Sequence, residues 1–244
     1  MRKSKKHLKV KMNRRSILIA LFVLLLVSPV PIQRWSLSGD TLLHDSTVPF
    51  NWTLISPNPL NHFEFGSRQH CLENDRQSIK IVDCQNKTVI KWQSPENWKV
   101  TEAITADLNR DGRNELVMVV WREHKTWPID SFLPSGGRIA DFHDRNGKSC
   151  HLILVGWDGK KYRELWAGSS LIDPVFNIRA ADLDRDGNQE LVTLEGKYDN
   201  RNITGNLTVW DWSGFGFRLR DRQQGKFSEF GIVSANQNVM IVSD

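Results

Sequence analysis

Short runs of apolar residues alternate with turns rich in Gly, Asn and Asp along most of the chain beyond residue 60. The runs are rich in β-branched and aromatic side chains, as β-strands are. No long segment after residue 32 carries the helical period of about 3.6 residues. The pattern predicts an all-β domain over residues 61–244. The clearest strand candidates are 79–82, 88–92, 115–120, 151–157, 162–166, 190–194 and 207–212.

The domain contains an internal repeat. Residues 104–119 align without gaps on residues 179–194, and nine of the sixteen positions are identical. A second similarity follows each copy, between 151–166 and 206–219. Each unit is therefore predicted to contain a strand, an Asp-rich loop, two strands, a Gly turn and a fourth strand. Repeated four-stranded units are typical of β-propellers, and we expect a propeller-like array of about three to four blades.

The two ends of the domain provide incomplete units. Residues 78–92 resemble the second half of a blade, and residues 230–242 resemble the first half of another. We predict that these halves pair with each other, because closure would remove exposed strand edges. Propellers usually have about four to eight blades. The sequence leaves open whether a second copy of the chain completes the array, whether the sequence is truncated, or whether 33–75 and an insertion at 123–149 contain a further blade.

Basic residues are concentrated at the N-terminus. The formal net charge is +5, but residues 1–32 hold eight of the 33 Lys and Arg residues and no acidic residue. The remaining 25 basic residues are outnumbered by 28 acidic ones, so the rest of the chain has a net charge of −3. The sequence pI of about 9.2 thus reflects the tail and does not indicate a nucleic-acid-binding surface. We expect no nucleic-acid partner.

A basic segment at 1–15 precedes an apolar stretch at 16–32, which is the arrangement of an export signal. The stretch has 17 residues, the lower limit for spanning a hydrocarbon core of about 30 Å. No small-residue cleavage site follows closely, which favours an uncleaved signal-anchor helix over a cleaved signal peptide. The positive-inside rule then makes 1–15 a cytoplasmic tail and places 33–244 outside the cell membrane. Residues 33–60, which are polar and contain three prolines, are predicted to be a linker.

Two Asp-rich loops have the residue types and the spacing of calcium ligands. Calcium takes about six to eight oxygen ligands at about 2.3–2.6 Å. In each loop, oxygens from the first, third and fifth residues can face one centre, and the Gly that follows them permits a sharp turn. We expect loop one to bind more weakly, because Asn109 replaces a carboxylate and Arg110 and Arg113 are nearby. The predicted ligands are Asp107, Asn109, Asp111, the Arg113 carbonyl and Glu115 in loop one, and Asp182, Asp184, Asp186, the Asn188 carbonyl and Glu190 in loop two.

These loops are not EF-hands, which require a Glu where this chain has Met118 or Thr193 and helices where the flanks are strand-like. Residues 104–120 and 179–195 instead resemble the FG-GAP/VCBS repeat family, whose calcium-loop blades also occur in integrin-type propellers. The resemblance extends loosely over 78–242. It implies a structural Ca2+ cofactor, since the ion would pin each loop between two strands and stabilise the fold. The final Glu of each loop departs from the family's Asp and could bind the loop backbone instead of the ion.

Three cysteines offer further candidates. Cys71 and Cys84 flank a predicted strand and could form a disulfide across a hairpin, as an exported protein permits. Cys150 would then be a free thiol that behaves as a small buried apolar residue. Four residues cluster at the end of the insertion and could suggest a metal site or a Cys–His nucleophile, but their spacing fits no established motif. They are His143, Asp144, Cys150 and His151. A polar loop followed by the start of a strand is the favoured interpretation of this segment.

The ten tryptophans have two interpretations. Most are expected to pack between blades, as aromatic side chains in repeated strands do. Four of them lie in the strands of the repeats, namely Trp157, Trp166, Trp210 and Trp212. Three others lie near strand ends or the insertion and could be aromatic platforms for sugars. These candidates are Trp98, Trp121 and Trp127.

The sequence favours a non-enzymatic interaction module on the cell membrane. Calcium would stiffen its loops, and the blade tops or the insertion at 123–149 would contact a protein or glycan partner, with a homo-oligomer as a further possibility. One alternative is an enzyme acting on extracellular polysaccharide, with Asp141, His143 and Asp144 as acid and base candidates. Another is a structural subunit of a membrane complex. No nucleophile elbow, zinc-protease motif, P-loop or dinucleotide fingerprint occurs in the chain, so we expect no enzymatic activity.

Overall fold

The computed structural model of the chain describes residues 32–45, 53–55, 63–65, 68–74, 78–125, 141–199, 204–235 and 238–244. Within these ranges the regular secondary structure consists of β-strands without a helix, so the all-β prediction is confirmed. The strands are β1 (Gln33–Ser38), β2 (Thr41–His44), β3 (Thr53–Ile55), β4 (Phe63–Phe65), β5 (Arg68–Asn74), β6 (Ile79–Asp83), β7 (Ile90–Gln93), β8 (Lys99–Ala106), β9 (Glu115–Glu123), β10 (Lys148–Trp157), β11 (Tyr162–Ala167), β12 (Val175–Ala181), β13 (Glu190–Glu195), β14 (Gly205–Trp212), β15 (Phe217–Phe227), β16 (Phe230–Ala235) and β17 (Asn238–Ser243).

These strands form four antiparallel sheets. Sheet 2 has the order β4-β5-β6-β7, sheet 3 the order β11-β10-β9-β8, and sheet 4 the order β12-β13-β14-β15. In all three sheets, strands that are consecutive in the chain are neighbours. Sheets 3 and 4 contain the two repeats, and in each of them the Asp-rich loop joins the first strand to the second. The predicted four-stranded unit is therefore present in both repeats.

Sheet 1 combines strands from both ends of the described chain, in the order β2-β1-β17-β16-β3. β1 pairs with β17, with Trp35 opposite Ile241, and β16 pairs with both β17 and β3. The predicted pairing of 230–242 with 78–92 is therefore wrong. The hairpin at 78–92 belongs to sheet 2, where β6 pairs with β5 and β7.

Residues 33–60, predicted to be a linker, contain β1, β2 and β3. The side chains of Trp35, Leu37 and Leu42 are buried in the core that sheet 1 shares with sheet 4. The linker prediction does not hold for these strands. β1 contains two alternating apolar residues and β2 contains two adjacent ones. Such short patterns do not distinguish a strand from a polar loop.

Three apolar cores join the sheets in the order 2, 3, 4 and 1. Sheets 3 and 4 have a core on each face, so their central strands are apolar on both faces. Along β9, Leu116, Met118 and Val120 pack toward sheet 2, whereas Val117 and Val119 pack toward sheet 4. This burial on both sides explains the unbroken apolar run of the strand. The Asp-rich loop ends where this apolar run begins, at Glu115.

Cys71 on β5 and Cys84 directly after β6 form a disulfide, with 5.0 Å between their Cα atoms. The predicted hairpin disulfide is confirmed. Cys150 is a free, fully buried thiol, as predicted, and burial raises its pKa to about 12. Such a thiol carries almost no thiolate at neutral pH. A nucleophilic pair of Cys150 with His151 is therefore excluded in this conformation.

No helix in the described part of the chain is long and apolar enough to cross a membrane. The predicted segments 1–15 and 16–32 lie outside the described residues, apart from Ile32. Of the insertion at 123–149, the structure describes the two ends, and Trp127 lies outside them.

Replacing both Cys71 and Cys84 with Ser should lower the free energy of unfolding by about 2–4 kcal/mol, because the disulfide restricts the unfolded chain. Denaturant midpoints of the wild type and the double variant measure the effect. Added reductant should lower the wild-type midpoint to that of the variant and leave the variant unchanged. Equal midpoints under oxidising conditions would contradict the prediction.

Candidate metal centre

Both Asp-rich loops turn sharply at the same two positions. Arg110 and Arg185 each have a φ of 65°, and the glycines two residues later, Gly112 and Gly187, have φ of 81° and 87°. Gly adopts this left-handed conformation freely, whereas it costs an L-residue such as Arg about 1–2 kcal/mol. Side-chain hydrogen bonds within each loop offset that cost.

In loop one, side-chain oxygens accept hydrogen bonds from backbone N–H groups of the same turn. Asp107 Oδ2 accepts from the N–H of Gly112 at 2.9 Å. Asp107 Oδ1 and Asn109 Oδ1 both accept from the N–H of Asp111, at 3.1 and 2.9 Å. Asp111 Oδ1 accepts from the N–H of Arg113 at 3.0 Å. The ligand candidates therefore also build the loop that holds them.

Loop two repeats most of this pattern. Asp182 Oδ2 accepts from the N–H of Gly187 at 3.1 Å, and Asp184 Oδ1 accepts from that of Asp186 at 3.2 Å. Asp186 Oδ1 accepts from the N–H of Asn188 at 2.8 Å. One bond is missing, because the buried Asp182 Oδ1 has no hydrogen-bond partner, whereas its equivalent in loop one accepts a backbone N–H.

Three carboxyl groups converge in each loop, with one oxygen of each lying within 4.8 Å of the others. Two ligands on opposite sides of a calcium ion are about 4.8 Å apart, given bonds of about 2.4 Å. The convergence therefore suits a hard divalent cation. The clusters are Asp107, Asp111 and Glu115 in loop one, and Asp182, Asp184 and Glu190 in loop two.

The other predicted ligands have different positions. The side chain of Asn109 binds the backbone of Asp111 and lies 3.5 Å from its carboxylate. Asp186 is outside the loop-two cluster, and its carboxylate binds the backbone of Asn188. The carbonyl ligands of Arg113 and Asn188 stay predictions.

Glu115 and Glu190 begin the second strand of each repeat and are almost completely buried. Glu115 Oε2 accepts from the N–H of Leu108 at 3.2 Å, and Glu190 Oε2 accepts from that of Leu183 at 2.8 Å. Each Glu thus binds the loop backbone while belonging to a carboxylate cluster. Burial raises the pKa of Glu115 to about 8 and that of Glu190 to about 7, and neighbouring carboxylates act in the same direction. A cation at either centre would favour the charged form.

A residue outside loop two, which sequence reasoning missed, binds the carboxylates of that loop. Arg220 of β15 places Nη1 2.6 Å from Asp184 Oδ2 and 3.4 Å from Glu190 Oε1. Its Nε lies 3.0 Å from Asp40 Oδ1 in the turn between β1 and β2. The available signal was the alternation of Arg218, Arg220 and Arg222 along one strand, since regularly spaced arginines require carboxylate partners where they are buried.

Loop one lies directly beside loop two, because the N–H of Asp107 donates to Gln189 Oε1 at 3.0 Å. Unlike loop two, it has no arginine in its cluster. None of the ion pairs found between described residues involves the carboxylates of Asp107, Asp111 or Glu115, and Arg113 of the same loop has an interaction partner. The two loops share a backbone design but differ in charge compensation.

The acid and base candidates of the insertion serve as turn residues. Asp144 Oδ1 accepts from the N–H groups of Asn146 and Lys148, at 2.8 and 2.9 Å. His143 Nδ1 donates to the carbonyl of Asp144 at 2.7 Å, and no hydrogen bond joins the side chains of Asp141, His143 and Asp144. This arrangement gives no support to general acid–base catalysis by these three residues.

The tryptophans in the strands of the two repeats pack between sheets, as predicted. Trp166 and Trp212 are 5.8 Å apart between ring centroids, with Phe217 edge-on to both. Trp157 packs edge-on to a tyrosine, and Trp210 is partly buried in the core between sheets 3 and 4. Trp98 is also buried, so it cannot serve as a sugar platform.

Trp121 lines a groove of about 670 Å³ at the end of sheet 3 opposite to loop one. Its ring lies 6.1 Å from that of Phe176 and packs edge-on to Tyr198. Charged and uncharged polar side chains line the same groove as Trp121 and Phe176. They are Lys99, Thr101, Glu102, Asp144, Asn146 and Lys148.

No protein-family model matches the sequence, and no curated protein is significantly similar to it. The family resemblance of the Asp-rich loops therefore stays a prediction, carried by the residues themselves.

His151 should make the stability of the domain pH-dependent. Its Nδ1 donates to the carbonyl of Gly168 at 2.9 Å, its Nε2 accepts from Ser149 Oγ at 2.8 Å, and burial lowers its pKa from 6.5 to about 4. Between these pH values the imidazole of His151 binds a proton in the unfolded chain but not in the folded chain, so the contribution of His151 to stability falls as the pH falls. The loss should reach about 3 kcal/mol near pH 4.

Free energies of unfolding measured across this range in the wild type and in His151→Gln provide the test. The variant keeps a polar side chain but cannot titrate, so its curve should be flatter by the contribution of His151. Parallel curves would show that the imidazole does not carry the effect.

Proposed function

We propose that the chain is a membrane-anchored, extracytoplasmic β-propeller of the FG-GAP/VCBS type, stabilised by calcium, that binds a protein or glycan partner. The observation that carries the calcium part is the convergence of Asp107, Asp111 and Glu115, which take part in none of the ion pairs found between described residues. Three carboxylates in one small loop repel one another, and a divalent cation removes that repulsion.

The positions of the strands support a radial arrangement of the sheets. The first strands of the repeats, β8 and β12, lie side by side, and β12 also approaches β16. At the other edges, β11 approaches β7, and β15 approaches β2. Blades around a common axis bring inner strands near inner strands and outer strands near outer strands. Sheet 1 is then a blade completed by both ends of the chain.

The outer faces of the two end sheets support closure of the ring. Val233 and Met240 form a small buried cluster on sheet 1, apart from the core that it shares with sheet 4. On sheet 2, the fully buried Val82 follows Ile81, which faces sheet 3, and so points to the opposite side. Apolar side chains buried on both outer faces favour contact between sheets 1 and 2, which gives four blades.

The disulfide between Cys71 and Cys84 supports an extracytoplasmic location. Disulfides persist in oxidising compartments and are rare in the cytosol. The basic tail at 1–15 and the apolar stretch at 16–32 supply the matching export signal. The proposed orientation therefore has two independent supports, one covalent and one in the sequence.

Calcium should raise the melting temperature of the full chain in detergent, and a chelator should lower it. Free calcium at about a hundredfold its dissociation constant adds about 2.7 kcal/mol of stability per site. Magnesium should have a smaller effect, since it requires near-ideal octahedral geometry. Differential scanning calorimetry measures these shifts.

Asp111→Asn should reduce the calcium-dependent shift. The matched control is Asp158→Asn, because Asp158 holds a similar turn through the N–H groups of Lys160 and Lys161 but belongs to no cluster. If neither calcium nor chelator changes the melting temperature of the wild type, the proposed metal is rejected.

The groove beside Trp121 is the surface best suited to a glycan. Aromatic rings offer a flat apolar face, and surrounding amide, hydroxyl and charged groups can bind hydroxyl groups. Thr101→Arg should abolish binding, because this exposed residue lines the groove and a longer side chain would fill it.

Glycan-array binding, followed by titration of any sugar found, measures the effect. Thr41→Arg is the control, since Thr41 is an exposed strand residue on sheet 1 away from the groove. Undiminished sugar binding by Thr101→Arg would place the glycan site elsewhere. Binding of protein but not of sugars would favour the protein partner.

A further inference from the structure

Arg220 lies where a bound cation would lie in loop two. We propose that Arg220 is the internal cation of loop two, so that of the two Asp-rich loops only loop one binds Ca2+. The inference rests on the calcium role proposed for loop one and goes beyond it. It assigns different cations to two loops of nearly the same sequence, and it reverses the expectation that loop two binds calcium more tightly.

The backbone aims Arg220 at the loop. In the pairing of β14 with β15, Trp210 is opposite Leu219 and Val209 is opposite Asp221, so Arg220 is the additional residue of a β-bulge. Bulges redirect a side chain relative to the regular alternation of the strand. The Arg220 side chain is only 8% exposed, which shows that its charge is held inside the structure.

The guanidinium occupies the oxygens that an ion would need. Arg220 Nη1 binds Asp184 Oδ2 at 2.6 Å and Glu190 Oε1 at 3.4 Å. The second oxygen of each carboxylate already accepts a backbone N–H. In this cluster Asp182 Oδ1 is the buried oxygen left without a partner. A calcium ion would have to share the carboxylates of Asp184 and Glu190 with a guanidinium that already binds both.

The other donors of Arg220 anchor it to sheet 1. Nε binds Asp40 Oδ1 at 3.0 Å, and Nη2 binds the carbonyl of Gly39. A guanidinium fixed through all three nitrogens cannot leave the cluster without losing every one of these bonds. A divalent ion entering beside it would be repelled by its charge at close range, where electrostatic forces are strongest.

Loop one offers the opposite conditions. None of the ion pairs found between described residues involves its carboxylates. Arg110, the residue equivalent to Arg185, is not paired with the cluster of its own loop. The described ion pairs thus supply a cation to the cluster of loop two and not to that of loop one, where the proposed Ca2+ would supply it.

Calcium titration of the full chain in detergent by isothermal calorimetry, with terbium luminescence as a second readout, tests the proposal. The wild type should bind one equivalent. Arg220→Met, which keeps the apolar stem but removes the charge, should bind two. Arg218→Met should still bind one, because Arg218 lies two residues away on the same strand and pairs with Asp211 and Asp40 rather than with the cluster.

A second arm works without altering Arg220. Asp182→Asn in the otherwise wild-type chain should leave one equivalent with unchanged affinity, whereas Asp111→Asn should remove it or weaken it at least about tenfold, as loss of a charged ligand does. If Arg220→Met does not fold, this arm decides alone. A loss of calcium binding in Asp182→Asn would overturn the proposal.

The outcomes separate the inference from the function on which it rests. Two equivalents in the wild type would overturn the role of Arg220 and leave the calcium function standing. No binding in the wild type but one equivalent in Arg220→Met would support the exclusion by Arg220 and reject the calcium site in loop one. No binding in either protein would reject both.

Discussion

Carboxyl groups buried at the start of central strands are the constraint on which the rest of this structure depends. Glu115 and Glu190 begin β9 and β13, where the adjacent residues are already packed into apolar cores on both faces. Neither side chain can move into water without pulling its strand out of register. Each therefore needs a compensating charge or a proton at its own position. The neighbouring Asp residues increase that need, since their charges have the same sign.

Sheet 4 meets this need with arginines on its last strand. Arg220 serves the loop, and Arg222 Nη2 binds Glu195 Oε2 at 2.7 Å farther along the sheet. Glu195 Oε1 also accepts from Thr208 and Trp210, so this buried carboxylate is fully bonded. The last strand of sheet 3, β11, has no such alternation of arginines. Under the proposed role of Arg220, this difference between the fourth strands decides which repeat would take an ion from solution.

The parts of the fold that sequence reasoning recovered are those with a local signal. The repeats were found because burial on both faces of β9 and β13 gives long apolar runs and because their loops share Asp and Gly positions. Sheet 1 was not recovered, since it joins residues 33–44 to 230–243 across nearly the whole chain and its first strands have only short apolar alternation. No local pattern specifies which distant strand pairs with which.

In the candidate site too, the features with a local sequence signal were predicted and the long-range contact was not. The clusters follow from spacing within each loop, and six of the ten residues predicted as ligands lie in them. Arg220 could not be predicted, because its approach depends on a bulge and on the packing of β15 against sheet 1. Arg218 and Arg220 both bind Asp40, whereas Arg222, beyond the bulge, binds Glu195, so alternation alone does not say which carboxylate each arginine meets.

Loop one and the groove beside Trp121 lie at opposite ends of β9, so the proposed ion site and the proposed ligand site are apart from each other. Loop one precedes Glu115 at one end of the strand, and Trp121 lies near the other end, about 20 Å away at about 3.3 Å per residue. The strand between them is rigid, because its side chains are packed on both faces. An ion in loop one can therefore stabilise the blade without touching a ligand in the groove. Calcium would change how much folded protein is present, while the groove residues would set the affinity of each folded molecule.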